Sequence, residues 1–256
     1  MPEGDVVRRT AVRIDAALSG RTLVRAELRW PGASGVDFVG RTVLETVSVG
    51  KHLLTRIDDG RTVHSHLRMD GTWSVARTGA AASRARGPWV RAVLANDLWT
   101  CTGTRLGMLD VVRTRDENVL VGHLGPDVLA ADFPGSGVVE ATRRLGADGA
   151  RPVAAALLDQ RCVAGFGTIY TAESLWAGRT SPWTPVGAVA DLRGVLLAGR
   201  AAMLLSADRG LDARTSDVYG RAGRSCRRCG TTIATGSAGD APQDRTIYWC
   251  PGCQVG

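Results

Sequence analysis

The stretch from residue 226 to residue 253 decides how the end of the chain folds. It begins Cys226-Arg227-Arg228-Cys229 and ends Cys250-Pro251-Gly252-Cys253, with 20 residues between the two pairs. Each Cys-x-x-Cys turn brings two thiolates within reach of one tetrahedral ion, and the intervening segment is long enough for a β-hairpin that joins the turns. We therefore predict a structural zinc finger with these four cysteines as ligands. A redox-active dithiol is the alternative, and the absence of a surrounding βαβ pattern disfavours it.

Composition predicts a cytoplasmic protein with an anionic partner. The chain has 256 residues, 44% of them hydrophobic, and a net charge of +7. It shows no signal-peptide pattern and no apolar run near the roughly 20 residues that span a bilayer, so we expect no membrane partner. The positive charge points to nucleic-acid phosphate. A general bias toward arginine is the alternative explanation of that charge.

Lys51 and the first residues supply candidate catalytic groups. Lys51 is the one lysine among 32 lysines and arginines, and lysine, unlike arginine, can release and regain a proton. Removal of Met1 would leave Pro2 as a secondary amine, and α-amino groups titrate at about 7.7–8.0, so a fraction is nucleophilic at neutral pH. Glu3 adds a carboxyl group for acid/base work. Pro2 is also a common second residue and drift can spare one lysine, so these residues alone leave the question open.

Apolar spacing predicts an α+β protein. A helix is expected over residues 7–18, before Gly20. An antiparallel β-sandwich is expected from five runs rich in β-branched residues: 22–28, 42–49, 52–57, 62–69 and 89–94. Residues 76–87 predict an exposed loop. Three helices are expected in the second half, over 152–158, 169–176 and 191–207. The expected domains are 1–131, 145–222 and the finger at 223–256, with the first boundary inside the Gly- and Ser-bearing stretch 132–149.

Three smaller features carry less information. Gly165-Phe166-Gly167-Thr168 joins two predicted helices, where glycines let backbone N–H groups approach an anion, although most such pairs are simple turns. His64 and His66 alternate on one predicted strand and, without a third ligand nearby, are predicted to be core or surface contacts rather than a metal pair. Cys101 and Cys162 are predicted to be small core residues.

Five separated motifs together resemble the formamidopyrimidine-DNA glycosylase / endonuclease VIII family, in the family's order and over nearly the whole chain. They are Met-Pro-Glu-Gly-Asp at 1–5, Gly-Lys-His-Leu-Leu at 50–54, Leu-Gly-Pro-Asp at 124–127, Leu-Leu-Asp-Gln at 157–160 with Ala-Gly-Phe-Gly at 164–167, and the four-cysteine tail. The chain looks closest to the actinobacterial endonuclease VIII-like branch. The resemblance implies base-excision repair of damaged DNA by a nucleoid-associated bacterial monomer, in which a helix–two-turns–helix domain and a zinc-finger hairpin follow the β-sandwich.

The resemblance also implies roles for individual residues. Pro2 would attack C1′ and form a Schiff base, Glu3 would act as general acid/base, and Lys51 would assist proton transfer. Arg245 would contact phosphate and help δ-elimination. The other implied DNA contacts are Arg68, Met69, His123, Gly165, Gly167 and Thr168, of which Arg68 and Met69 enter the gap left by the everted base.

Departures from the family pattern bear on the substrate. Thr168 stands where the family usually has asparagine, His123 stands where some relatives have arginine, and Arg105 and Leu106 match the loop that probes the opposite base only loosely. The segment between the third predicted helix and the finger is shorter than the corresponding segment of the purine-specific branch, in which a longer loop covers 8-oxoguanine. We therefore expect oxidised pyrimidines as substrates. The alternatives are an 8-oxoguanine-preferring glycosylase and a catalytically silent zinc-finger DNA-binding protein.

Overall fold

The computed structural model describes residues 2–214, 216–239 and 244–255, so Met1 lies outside the described residues. The chain forms two compact units, one ending at His123 and one beginning at Leu124. No helix in the described ranges combines the length and the apolar character needed to cross a bilayer.

The first unit is a sandwich of two four-stranded antiparallel sheets with a helix packed against it, as the sequence predicts. The helix α1 (Gly4–Leu18) buries Val7, Ala11, Ile14 and Leu18, which recur at the four- and three-residue steps of one helical face. One sheet has the order β2-β3-β4-β8 and the other β1-β6-β7-β5. The strands are β1 (Arg25–Leu28), β2 (Val43–Val49), β3 (His52–Ile57), β4 (Arg61–His66), β5 (Thr72–Arg77), β6 (Val90–Ala95), β7 (Trp99–Thr104) and β8 (Met108–Arg113). A short helix, α2 (Asn118–Val121), follows.

Two sequence predictions for this unit need correction. Strands β5, β7 and β8 were not anticipated, because threonines, a glycine and charged residues dilute their alternating pattern. The strand expected to reach Met69 ends at His66, because Arg68 adopts a left-handed φ of 51°, which an extended ladder does not accommodate. Arg68 and Met69 therefore lie in the turn beyond the strand.

The second unit packs helices and the cysteine-bearing hairpin around one core. Its elements are α3 (Val138–Gly146), α4 (Val153–Leu158), α5 (Thr168–Ala177), α6 (Leu192–Arg209), β9 (Ala234–Ala238) and β10 (Arg245–Trp249). Phe133, Phe166 and Met203 are fully buried in this core, which Ala238 and Ile247 of the hairpin also join. The hairpin thus shares a core with the helices.

The domain boundaries differ from those expected. Residues 124–131 belong to the second unit, since the Gly125 N–H donates to the Gln160 carbonyl and Asp127 forms a bridge with Ala164. The expected linker at 132–149 instead contains α3, where Val138 and Ala141 are buried despite the polar residues around them. Composition alone concealed the amphipathic face of that helix.

We expect Gly199→Ala to destabilise the protein by about 1–3 kcal/mol through overpacking. A Cβ at Gly199 would lie 2.4 Å from Cζ of Phe166, whose ring is fully buried and cannot move aside. Denaturant unfolding measures the difference. Gly146→Ala is the matched control, because a Cβ there meets nothing within 4 Å and a helical alanine is favoured over glycine by about 0.5–1 kcal/mol. Equal stability of the two variants would contradict this packing.

Candidate active site and metal centre

The packing of α1 along β2 brings the first residues to the turn that carries Lys51. Ser19 pairs with Val43, and Oδ1 of Asp15 accepts the Thr46 N–H at 2.7 Å, so the helix runs back along the strand. From Asp15 to Glu3 the helix covers about 18 Å, and from Thr46 to the turn the strand covers about 13 Å. Both segments therefore end at the same edge of the unit.

Glu3 and Lys51, at the ends of these two segments, have different surroundings. Glu3 is the residue before α1 and is fully buried, and its carbonyl accepts the Val7 N–H at 3.1 Å. Lys51 is half-buried in the β2–β3 turn, where Gly50 has a φ of 58°. Pro2 is half-buried directly before Glu3. The three groups that the sequence singled out for chemistry thus lie at the ends of α1 and β2 that run to one edge of the unit.

All four histidines of the chain lie beside Lys51. His52 begins β3, His66 ends β4 opposite it, and His64 is two residues earlier on β4. The ring of His52 lies 5.1 Å from that of His64, 4.9 Å from that of His66 and 6.3 Å from that of His123, centroid to centroid. This edge of the sheet is therefore lined with imidazoles.

Burial keeps the imidazoles of His52, His64 and His66 neutral. It is the largest cause that lowers the pKa of His52 to about 3, with repulsion from the other three histidines second. Burial also lowers the pKa of His66 to about 4, aided by the charges of His64, Lys51 and Arg68. Burial lowers the pKa of His64, although Asp110 acts in the opposite direction. His52, His64 and His66 thus add no positive charge at neutral pH.

His64 forms hydrogen bonds with Asp110 and His52, and His66 accepts the Arg68 N–H. Among the described residues, the four cysteines are the one group of three or more His, Cys, Asp or Glu side chains close enough to share an ion. The histidine contacts also extend to His52 and His123, which the sequence prediction did not include.

A surface pocket of about 530 Å³ opens beside Arg68 and Met69. Met69 is 60% exposed, and Arg105, like Arg68, has a left-handed backbone, with φ of 52°. The Arg105 guanidinium lies 4.9 Å from the ring centroid of Trp89, which is itself 54% exposed. Sequence reasoning missed Trp89, since a single tryptophan after a Gly-Pro turn carries no pattern.

The Gly165–Thr168 segment is a turn built around Gln160. Oε1 of Gln160 accepts the Gly165 N–H at 3.0 Å, and its Nε2 donates to the Phe166 carbonyl at 2.9 Å. Gly165 has a φ of 105°, which favours glycine. Gly167 caps α5 without a side chain, and Thr168 is only 5% exposed. The Thr168 side chain is therefore largely covered by its surroundings.

The four cysteines converge as predicted. Their sulfur atoms all lie within 4.8 Å of one another, with Sγ–Sγ distances of 3.9 Å from Cys226 to Cys253 and 3.4 Å from Cys229 to Cys250. A tetrahedron with metal–sulfur bonds of about 2.3 Å has edges of about 3.8 Å, so the arrangement fits an ion such as Zn²⁺. Arg245 is the exposed first residue of β10 in the same hairpin.

The other two cysteines lie apart from this cluster. Cys101 is fully buried, and burial raises the pKa of its thiol to about 12. Cys162 is half-buried, packs against the core of the second unit, and has its pKa raised by burial. Both fit their predicted role as core residues.

Comparisons with known proteins agree with this geometry. Residues 1–115 match the model of the formamidopyrimidine-DNA glycosylase N-terminal domain. A probable endonuclease 8 2 of Streptomyces coelicolor is 44% identical over 100% of this chain and 95% of its own length. The DNA-(apurinic or apyrimidinic site) lyase Nei2 of Mycolicibacterium smegmatis is 40% identical over 100% of this chain and 99% of its own. The chain belongs to the formamidopyrimidine-DNA glycosylase / endonuclease VIII family.

The fold of this family member also matches a solved relative. The formamidopyrimidine-DNA glycosylase of Lactococcus lactis, crystallised with DNA containing an abasic site, superimposes with a TM-score of 0.83 over 100% of both chains at 20% identity. The α+β class, the β-sandwich and the cysteine-bearing hairpin that the sequence predicts are confirmed.

We expect Cys229→Ser in this family member to abolish stoichiometric metal binding and lower the melting temperature of the second unit, since three thiolates remain around the ion. Elemental analysis of purified protein and thermal unfolding measure both effects. Cys162→Ser is the matched control, because Cys162 is not in the cluster and should leave the metal content unchanged. Full metal retention by Cys229→Ser would exclude the four-sulfur site.

Proposed function

We propose that this chain is a bifunctional DNA glycosylase/AP lyase of base-excision repair that releases oxidised pyrimidines through a Schiff base at Pro2 and cleaves the strand by β,δ-elimination. Membership of the family supports the glycosylase and lyase class. The mechanism is supported by the placement of Pro2 and Glu3 before α1 and of Lys51 in the β2–β3 turn, because the lengths of α1 and β2 carry both toward one edge of the first unit. A protein that only binds DNA has no chemical need for these three groups together.

The chemistry follows from the ordinary reactivity of these groups. Once Met1 is removed, the ring nitrogen of Pro2 attacks C1′ of the damaged nucleotide, and the resulting iminium makes the neighbouring C2′ hydrogen acidic enough to remove. Glu3 supplies the carboxyl group that gives and takes protons during base release and sugar opening. Lys51 moves protons at the glycosidic and β-elimination steps, which arginine could not do.

DNA binding involves both units in this proposal. Arg68 and Met69 fill the gap left by the everted nucleotide, which the exposure of Met69 beside the surface pocket supports. His123 contributes to the strand contact near the histidine cluster. Gly165, Gly167 and Thr168 offer backbone N–H groups to phosphate at the start of α5. Arg245 contacts phosphate from the hairpin and assists δ-elimination.

The remaining assignments concern the ion and the assembly. Zn²⁺ is the proposed resident ion of Cys226, Cys229, Cys250 and Cys253, and it would hold the hairpin that presents Arg245. The partner is damaged DNA, which the abasic-site DNA bound by the Lactococcus lactis relative supports. The enzyme acts as a monomer in the bacterial nucleoid.

We expect Lys51→Arg to slow strand cleavage at an abasic site by about 100-fold or more, since proton transfer by a positioned side chain contributes about 10²–10⁴-fold. Gel assays of single-turnover cleavage measure the rate, and fluorescence anisotropy should show unchanged DNA affinity because the positive charge remains. Arg13→Lys, an exposed change on α1, is the control and should match wild type.

The same assay tests the nucleophile. Borohydride should trap a covalent adduct between the protein and an abasic oligonucleotide when mass spectrometry shows Pro2 at the N-terminus. No adduct from such protein, with DNA affinity intact, would overturn the enzymatic mechanism and favour the catalytically silent DNA-binding protein.

We expect excision of 5-hydroxyuracil and thymine glycol to exceed that of 8-oxoguanine by at least about tenfold in kcat/KM, a difference of about 1.4 kcal/mol. The short segment between α6 and the hairpin supports this preference, because it leaves little chain to cover a purine lesion. Comparing the three lesions in one sequence context measures it. Faster excision of 8-oxoguanine would establish the alternative glycosylase specificity.

A further inference from the structure

A row of three side chains crosses the sheet directly behind Lys51. Oδ2 of Asp110 on β8 lies 3.0 Å from Nδ1 of His64 on β4, and Nε2 of His64 lies 2.8 Å from Nδ1 of His52 on β3. The register explains the row, because His64 pairs with Asp110 on one side and with Leu54 on the other, two residues along β3 from His52. The three side chains therefore share one face of the sheet.

Hydrogen-bond chemistry fixes where the hydrogens lie in this row. An ionised carboxylate can only accept, so Nδ1 of His64 carries the hydrogen that Asp110 binds. A neutral imidazole has one N–H, so Nε2 of His64 is an acceptor and Nδ1 of His52 is the donor to it. His52 is then left with a lone pair on Nε2.

His66 is fixed in the opposite tautomer. Its Nδ1 accepts the backbone N–H of Arg68 at 2.9 Å, so its single hydrogen lies on Nε2. The His52 and His66 rings meet edge to face at 4.9 Å. The histidine edge thus offers one neutral acceptor nitrogen on His52, the residue after Lys51, and one neutral donor nitrogen on His66.

We propose that Asp110 and His64 are positioning residues that lock His52 in its Nδ1–H tautomer, so that a neutral acceptor nitrogen is maintained beside Lys51. The hydrogen bonds from Asp110 through His64 to His52 thereby orient groups around the lysine that transfers protons. This inference rests on the proposed function. Asp110 and His64 act through His52 and touch no substrate. The same logic governs serine proteases, where changing the carboxylate behind the histidine to an amide selects the wrong tautomer.

The tautomers can be observed directly, since the chain contains only four histidines. In protein labelled with ¹⁵N-histidine, two-bond ¹H–¹⁵N correlations at pH 7 should show His52 and His64 with hydrogen on Nδ1 and His66 with hydrogen on Nε2. A hydrogen on Nε2 of His52 in the unmodified protein would overturn the proposal, whatever its activity.

Asp110→Asn tests the lock with little change in volume. An amide donates as well as accepts, so it no longer dictates the His64 tautomer. We expect both tautomers of His52 in the spectrum. Cleavage of a preformed abasic oligonucleotide should slow about tenfold, which is the smaller loss of activity seen when a residue that orients a metal-bound histidine is replaced. DNA affinity and melting temperature should stay at wild-type values. The Asp110 side chain is 41% exposed, so the variant should fold.

Two further variants complete the test. Asp110→Glu keeps an acceptor-only carboxylate and should restore both the tautomer and the rate. Asp116→Asn removes a half-exposed carboxylate outside the row and should match wild type. Wild-type tautomers or wild-type cleavage in Asp110→Asn would overturn the proposal. If unmodified protein fails to form the borohydride adduct, the proposed function falls, while the spectrum still decides whether the lock exists.

Discussion

The alignment of α1 against β2 is the constraint on which the candidate active site depends. The hydrogen bond from the Thr46 N–H to Asp15 and the buried apolar face of α1 fix where the helix lies along the strand. The start of the helix therefore ends up beside the β2–β3 turn. Pro2 and Glu3 directly precede α1, so the position of the helix along β2 also determines where they lie. A catalytic N-terminus requires such an anchored first helix, because free chain ends are otherwise poorly ordered.

Burial of the histidines solves an electrostatic problem at the same edge. Lys51 and Arg68 already place positive charge there, and charged imidazoles would add to it. Burial holds the pKa of His52 and of His66 well below neutrality, so the rings supply hydrogen-bonding nitrogens without charge. His52 and His66 therefore stay neutral beside Lys51, the group to which the proposed mechanism assigns proton transfer.

The sequence identifies candidate residues whose side-chain type suggests a chemical role. It does not identify residues whose role depends only on how strands pair. The four cysteines, Lys51 and Glu3 are recognisable from composition and spacing, and the helices follow from apolar period. Asp110 carries no such signal, because its relation to His64 exists only once β8 pairs with β4, and β8 was not anticipated. The boundary expected within residues 132–149 is wrong for a related reason, because the glycines and acidic residues of that stretch surround a helix with a buried face.

The end of β4 connects the histidine row to the surface pocket through interlocked turns. The His66 carbonyl accepts the Gly107 N–H at 2.9 Å while its Nδ1 accepts the Arg68 N–H, so one residue holds both turns that border the pocket. Gly107 must be glycine here, since a Cβ would lie 2.4 Å from Cγ of Arg68. The left-handed backbones of Arg68 and Arg105 are strained positions that these contacts maintain. His66, whose ring also contacts that of His52, thus joins the Arg68 turn to the histidine row.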